Sequence, residues 1–357
     1  MSDVIVRLVG GIGHITLNRP AALNALTLGM VRQIDQTLSA WETDDAVSFV
    51  LLDGAGERGF CAGGDIRLLY DAVLAQRFDM PESFFREEYH LNQHIARFAK
   101  PVIALMDGVV MGGGIGLGGH ASHRVVTDRS VLAMPETRIG FLPDVGGTYL
   151  LGTAPGELGT HAALSAGRLN GADAIACGLA DAFVPSSHIN HLRVALPNID
   201  AVSELADKLG RYSVLPPESR LASARGWIDR CYAHDDAEKI LAALQSAPEP
   251  EAKQAAIDVA SASPTSVKVT LRALRAARRF GQLEPCLNQE FRLGLNLIRD
   301  PDFAEGVRAA VVDKDRNPNW YPARLEDVMP DDVERHFHLP PGSSELGLVL
   351  KNERRMQ

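Results

Sequence analysis

Cysteine is scarce in this sequence, with four residues in a chain of 357. They stand far apart, so their spacing contains neither a zinc-binding pair nor the framework of a small disulfide-rich domain. Free thiols in a reducing compartment are the simplest interpretation. Apolar runs are also short, and none reaches the roughly 18 residues that a transmembrane helix requires. These absences exclude a membrane-spanning protein and a disulfide scaffold. The four cysteines are Cys61, Cys177, Cys231 and Cys286.

Positive charge is in deficit. Lysine and arginine total 36 residues against 45 aspartates and glutamates, which gives a formal net charge of −9. An acidic surface disfavours nucleic acids and membranes as general partners. The N-terminal residues lack a basic segment followed by a long apolar core, and with the unpaired cysteines this predicts a cytoplasmic location. HExxH does not occur, so we predict no metal site. GxSxG, the motif of a serine nucleophile, is also absent. The Gly63-Gly64 pair lacks the spacing of a dinucleotide-binding motif.

Glycine is concentrated in two places where a strand pattern leads into a helix pattern. The apolar run Val102–Leu105 is too short for an amphipathic helix and predicts a buried strand, and Gly112-Gly113-Gly114 follows it. A glycine triplet alone is as often a tight turn as a ligand site. A second glycine-rich stretch, Gly59–Ile66, follows the apolar run Val47–Leu52. Glycines let backbone N–H groups approach a ligand, so the two stretches are able to offer two donors to one oxygen.

The pattern of predicted elements changes near residue 200. Before it, strand runs alternate with helices, which favours an α/β core with parallel strands. The runs Val4–Val9 and His14–Leu17 predict a hairpin. Pro81 predicts a loop over Arg77–Glu82, so the next helix is expected to cover Ser83–Ala99. After residue 200 helix formers dominate. We therefore expect a core over 1–200 and a helical region with an irregular tail over 201–357.

Several ordered blocks make residues 4–190 resemble the crotonase (enoyl-CoA hydratase/isomerase) superfamily. The resemblance implies an α/β fold, a spiral of stacked ββα units, here with an all-helical C-terminal region. It also implies an acyl-CoA substrate, with CoA as part of that substrate and no separate cofactor. Members often trimerise, so a homo-oligomer is admissible, although the helical half could cover that surface. The blocks are Asn18-Arg19-Pro20, Asn24-Ala25-Leu26, Phe60–Asp65, Lys100–Ala104, Gly112–Gly114, Pro143 and Gly146-Gly147-Thr148.

The resemblance also bears on the reaction. Hydratases of the superfamily use two glutamates to activate one water. The first of these positions is Gly116 here, and the second is Glu136. Loss of one acid–base partner costs about 10²–10⁴ in rate, so hydration is not the preferred reaction. Further blocks along the chain are Phe84–Tyr89, Met111–Gly114, Ala133–Thr137, Phe141–Gly147, Glu290–Arg292, Asp302–Ala309, Asp313–Pro318 and Trp320. They resemble the superfamily branch that hydrolyses short 3-hydroxyacyl-CoA thioesters, with the 3-hydroxyisobutyryl ester of valine catabolism as first choice and the 3-hydroxypropionyl ester admissible.

On this hypothesis the site residues have distinct roles. The N–H groups of Gly64 and Gly113 would bind the acyl oxygen, with Gly63 as the alternative donor to Gly64. Glu136 would attack the thioester carbon or act as general base on water, and Asp144 would hold the 3-hydroxyl group or position the water. One alternative is an enoyl-CoA isomerase or hydratase that works from Glu136 alone, and another is a non-catalytic acyl-CoA-binding relative. The expected substrate-binding residues are Glu88, Gly63 and Ala62.

Overall fold

Strands occupy the first half of the chain. The computed structural model describes residues 2–198 and 202–350. Most strands are short, and each apolar run predicted to be a buried strand does contain one. The strands within the described ranges are β1 (Val4–Val9), β2 (Ile12–Leu17), β3 (Phe49–Gly54), β4 (Gly59–Cys61), β5 (Val102–Met106), β6 (Val109–Met111), β7 (His123–Val126), β8 (Val131–Ala133), β9 (Leu169–Asn170) and β10 (Ala182–Phe183).

Helices occur throughout and dominate after residue 202, where every named element is helical, as predicted. None of the helices in the described part of the chain has the length and apolarity needed to cross a bilayer. The α-helices are α1 (Leu28–Glu42), α2 (Ile66–Leu74), α3 (Asp79–Arg97), α4 (Gly113–Gly118), α5 (Gly147–Gly152), α6 (Leu158–Ser165), α7 (Gly171–Ala176), α8 (Ser186–Ala195), α9 (Leu205–Tyr212), α10 (Arg220–Ser223), α11 (Arg225–Cys231), α12 (Ala237–Ser246), α13 (Pro250–Ser261), α14 (Pro264–Phe280), α15 (Leu283–Leu297), α16 (Pro301–Val307) and α17 (Pro330–His336).

The described residues form two compact units that alternate along the chain. The first contains residues 2–64, 90–133, 168–198 and 202–222. The second contains residues 65–89, 134–167 and 223–350. The predicted domain boundary at residue 200, and the end of the predicted tail at 351–357, lie outside the described residues.

Both sheets belong to the first unit. The larger has the strand order β1-β2-β3-β5-β7-β10, and the smaller has the order β4-β6-β8-β9. The predicted hairpin is present, with Val4 opposite Leu17 in an antiparallel pair. From β3 to β8, successive strands alternate between the two sheets, so β3/β4, β5/β6 and β7/β8 are three repeats of one strand pair. Pairing between neighbouring repeats is parallel. This repetition is the stack of ββα units that the resemblance to the crotonase superfamily implied.

Alternate residues of the larger sheet form the core of the first unit. Phe49 and Leu51 on β3 and Ile103 and Leu105 on β5 point to one face because side chains alternate along a strand. Helices α8 and α9 cover that face with apolar residues three or four positions apart. Their contributions are Ile189 and Leu192 on α8, and Leu205 and Leu209 on α9.

In the second unit, α14 begins and ends where its sequence dictates. The Ser263 hydroxyl caps the helix by accepting a hydrogen bond from the N–H of Ser266, and Pro264 occupies the first turn. Gly281, with φ +62°, terminates it. The backbone N–H of Ser263 donates to the carbonyl oxygen of Thr137 at 3.0 Å. This bond ties the start of α14 to the segment that carries Glu136.

The start of α3 differs from the prediction. The sequence predicted a loop over Arg77–Glu82 and a helix from Ser83, but α3 begins at Asp79 and includes Pro81 in its first turn. Proline is tolerated there because the N–H groups of the first turn have no partner within the helix. Asp79 and Glu82 also place negative charge at this end, which favours helix initiation.

Candidate active site

The first glycine turn, Ala62–Gly64, follows β4 in the first unit. The N–H of Leu26 donates to the carbonyl oxygen of Gly63 at 2.8 Å, which fixes the turn against the start of α1. Gly63 has φ +100°, a conformation that favours glycine. A Cβ there would lie 3.0 Å from the oxygen of Met111 and 3.3 Å from the nitrogen of Gly113. The two glycine turns therefore pack backbone against backbone, with no room for a side chain at Gly63.

The second glycine turn begins α4. Gly112 is its N-cap residue with φ +47°, so the N–H of Gly113 is the first of the helix and has no partner within it. A Cβ on Gly114 would overlap the backbone carbonyl of Cys61, which explains the third glycine. Helix α4 is buried and carries no carboxylate, and Gly116 lies in its middle. Gly64 and Gly113 thus belong to adjoining turns, as paired backbone donors would require.

Glu136 opens a 3₁₀ helix, Glu136–Ile139, in the second unit. The segment is held by the N–H of Phe141, which donates to the Glu136 carbonyl oxygen at 3.0 Å. The side chain is only 7% exposed, and its Oε2 has no hydrogen-bond partner among the described residues. Burial, followed by the nearby Asp144 charge, raises the pKa of Glu136 well above its ordinary value. A buried carboxylate oxygen without a partner is available to a bound substrate or water.

Asp144 lies in the turn that precedes α5. Its Oδ2 accepts a hydrogen bond from the hydroxyl of Tyr89 at 2.7 Å, and both side chains are buried. Burial raises the pKa of Asp144 to about 7, although the Tyr89 hydrogen bond opposes that rise. Asp144 therefore changes its protonation state near neutral pH.

Glu88 lies beside Tyr89 on α3 and is 2% exposed. Its Oε1 has no hydrogen-bond partner in the described part of the chain. Burial and then the Asp144 charge raise the pKa of Glu88 well above its ordinary value. Since Asp144 acts on both Glu88 and Glu136, the structure brings these three predicted carboxylates together. Burial is the largest cause of the raised pKa in all three carboxyl groups.

Tyr89 and Glu290 are site residues to which the sequence analysis assigned no role. Glu290, on α15, is fully buried and accepts hydrogen bonds from the N–H groups of Gly146 at 2.7 Å and Thr148 at 2.9 Å. Burial raises the pKa of Glu290 to about 8, against the lowering effect of the hydrogen bonds from Thr148 and Gly146. The sequence does contain one signal for Glu290. It lies on the apolar face of its helix, and an acidic residue in that position needs a specific partner.

The fold and the buried carboxylates define an enzyme of the crotonase type. The family model described as enoyl-CoA hydratase/isomerase matches residues 12–337, and the chain belongs to that family.

Similar proteins with curated names are 3-hydroxyisobutyryl-CoA hydrolases. The mitochondrial enzyme of Danio rerio is 41% identical over 94% of this chain and 89% of its own length. The mitochondrial enzyme of Homo sapiens is 40% identical over 96% of this chain and 90% of its own length. In Arabidopsis thaliana, 3-hydroxyisobutyryl-CoA hydrolase 1 is 36% identical over 98% of this chain and 95% of its own length.

Two similar solved structures carry different names. A carnitinyl-CoA dehydratase from Mycobacterium thermoresistibile is 46% identical with a TM-score of 0.92, covering 97% of this chain and 99% of that one. An enoyl-CoA hydratase from Rhodobacter sphaeroides is 40% identical with a TM-score of 0.90, covering 97% and 100%. They confirm the fold, and their names describe the removal or addition of water.

Proposed function

We propose that this chain hydrolyses the thioester of a short-chain 3-hydroxyacyl-CoA, with 3-hydroxyisobutyryl-CoA of valine catabolism as the first substrate. Relatives named for that activity match it over nearly their whole length. The observation that carries the proposal is the unequal distribution of carboxylates. Glu136 presents an unpartnered buried oxygen, whereas α4 has glycine at position 116 and no carboxylate at all.

Thioester hydrolysis needs stabilisation of the negative charge that develops on the acyl oxygen. We assign this role to the N–H groups of Gly64 and Gly113, with Ala62 and Gly63 shaping the adjoining turn. Loss of one such donor typically costs about 3–4 kcal/mol of transition-state stabilisation. Water and the thioester are the only reactants, so no separate cofactor is needed.

Glu136 is the proposed reactive carboxylate. In one route its oxygen attacks the thioester carbon, the carbon–sulfur bond breaks, and water hydrolyses the resulting anhydride. In the other route Glu136 takes a proton from the water that attacks the thioester carbon, the carbon–sulfur bond breaks, and the proton passes to the departing CoA sulfur. Both routes require ionised Glu136, so activity should rise with pH above the usual range of a glutamate, because burial and Asp144 raise its pKa.

Asp144 and Glu88 are proposed to bind the 3-hydroxyl end of the acyl group. The unpartnered Oε1 of Glu88 is available to accept a hydrogen bond from that hydroxyl. The hydrogen bond from Tyr89 to Oδ2 orients the Asp144 carboxyl group, which would hold the same hydroxyl or position the water. A buried polar site of this kind disfavours acyl groups without a hydroxyl, because its own groups would then be left unpaired.

Hydration or isomerisation of an enoyl-CoA is the second candidate, and the names of the two solved relatives favour it. The two reactions give different products. Hydrolysis releases the CoA thiol, whereas hydration removes the enoyl absorbance and isomerisation moves the double bond, both without a free thiol.

A thiol-reagent assay across 3-hydroxyacyl-CoA and enoyl-CoA esters tests the proposal. We expect thiol release that is fastest with 3-hydroxyisobutyryl-CoA or 3-hydroxypropionyl-CoA. Glu136→Gln should abolish most turnover while the variant stays folded. Glu87→Gln, the same change at a half-buried position on α3, is the control. Near-normal thiol release by Glu136→Gln would show that the mechanism is wrong, and enoyl loss without thiol would favour hydration.

We also propose a cytoplasmic location for this enzyme. All four cysteines are free thiols, which supports a reducing compartment. The vertebrate relatives are named as mitochondrial proteins, so fractionation against markers of both compartments is the decisive measurement. Light scattering of the purified protein tests whether it forms the homo-oligomer that the superfamily resemblance allows.

A further inference from the structure

The backbone that carries Asp144 is strained. Val145, directly after it, has φ +53°, and Gly146 has φ +80°. Positive φ is ordinary for glycine but strongly disfavoured for a β-branched residue such as valine. The N–H of Gly147 donates to the Asp144 carbonyl oxygen at 2.6 Å and closes the turn. Strained backbone of this kind persists only where the surrounding structure holds it in place.

Glu290 is the group that holds this turn. Its Oε2 accepts from the N–H of Gly146 at 2.7 Å, and its Oε1 accepts from the N–H of Thr148 at 2.9 Å and from the Thr148 hydroxyl. The side chain is 0% exposed, so water does not compete for these bonds. Three donors from the residues around Val145 thus converge on one carboxylate from a distant part of the chain.

The side chain of Asp144 is fixed separately from its backbone. The hydroxyl of Tyr89 donates to its Oδ2 at 2.7 Å. Tyr89 itself is fully buried and packs between aromatic rings, with its centroid 6.0 Å from Phe85 and 6.3 Å from Phe291. Tyr89 restrains the carboxyl group, and Glu290 restrains the peptide units that follow it.

We propose that Glu290 is a positioning residue, which sets the location of Asp144 through the turn at 145–148 without touching the substrate. The inference rests on the proposed function, in which Asp144 contacts the acyl group. Glutamine is a sharp test because both oxygens of Glu290 accept hydrogen bonds. Whichever way a glutamine amide turns, its NH₂ group faces an N–H donor, so at least one restraint is lost.

Steady-state thiol release should be measured for Glu290→Gln at a pH above the pKa values of Asp144 and Glu290, which are about 7 and about 8. We expect kcat to fall about 10- to 100-fold with little change in KM, as for a catalytic group displaced by a fraction of an ångström. Glu284→Gln, a buried acid on the same helix, is the control. If Glu290→Gln lowers only the unfolding temperature and keeps the wild-type kcat, the residue is merely structural and the inference is overturned.

A milder pair of variants covers the case in which Glu290→Gln does not fold. Thr148→Val removes one donor to Glu290 at almost constant volume, and Thr148→Ser keeps it. We expect kcat to fall for valine and not for serine. Equal kcat values for the two variants would contradict the inference.

A second measurement separates this inference from the proposed function. With ¹³C-labelled aspartate, the Asp144 carboxyl resonance is assigned by its loss in Asp144→Asn. We expect Glu290→Gln to displace that resonance, whether or not the enzyme turns over a given thioester. If the chemical shift of the Asp144 carboxyl resonance and its change with pH are the same in Glu290→Gln as in the wild type, the positioning role is overturned. Absence of thiol release from every ester by the wild-type enzyme would instead overturn the proposed function.

Discussion

Asp144 should destabilise the folded protein at alkaline pH, and Asp144→Asn should remove that effect. The pKa of Asp144 is raised from 3.8 to about 7, mainly by burial. The native state therefore holds this proton more tightly than the unfolded state does. The resulting stability is fully present below the unfolded pKa and is lost as pH rises through about 7. A shift of about 3 units corresponds to about 4 kcal/mol, an upper limit because Glu88 responds to the same charge.

Urea unfolding of the wild type and Asp144→Asn, at one pH at or below the unfolded pKa of 3.8 and at one pH above the folded pKa of about 7, measures this effect. Asparagine does not ionise, and its amide oxygen can still accept the hydrogen bond from Tyr89. The variant should match the wild type at the acidic pH and be more stable by up to about 4 kcal/mol at the alkaline pH. Asp71→Asn, at an exposed position on α2, controls for the general effect of removing a charge. A stability difference that is the same at both pH values would refute the reasoning.

Two further predictions concern Tyr89 and Gly114. Tyr89→Phe removes a hydrogen bond that favours ionised Asp144, so the acidic limb of the kcat/KM profile should move up by about one pH unit. An unmoved limb would mean that Asp144 ionisation does not limit activity. Gly114→Ala places a Cβ against the Cys61 backbone and should lower the free energy of unfolding by about 1–3 kcal/mol. Gly29→Ala, whose Cβ would meet only a Thr27 oxygen at 3.8 Å, is the control, and equal effects of the two changes would count against the packing argument.

Local sequence signals predicted the elements whose stability depends on local chemistry. The hairpin of β1 and β2 follows from two β-prone runs joined by glycines. Helix α14 lies in the region where helix formers dominate, and it begins at a serine cap followed by a proline. The glycine turns before α2 and α4 were visible as clusters of a residue that other side chains cannot replace.

Residues that act through distant partners were not predictable in this way. Glu290 is 144 positions from Gly146, and periodicity reports only that its helix face is buried. Nothing local indicates which donors it meets. The predicted start of α3 was wrong because proline breaks a helix only in its interior. Pro81 lies in the first turn, where proline is tolerated. Whether a segment is a helix or a strand followed from its local sequence pattern. Which hydrogen-bond partners a buried residue such as Glu290 meets became known only from the folded structure.

The burial of every cysteine has a practical consequence. Cys61, Cys177 and Cys286 are 0% exposed, and Cys231 is 1% exposed. An aromatic disulfide added to the native enzyme should therefore give little background colour, and the colour that develops with an acyl-CoA ester comes from the leaving group. After denaturation the same reagent would titrate four protein sulfurs per chain. One inexpensive chromophore thus reports both the release of CoA thiol and the unfolding of the protein.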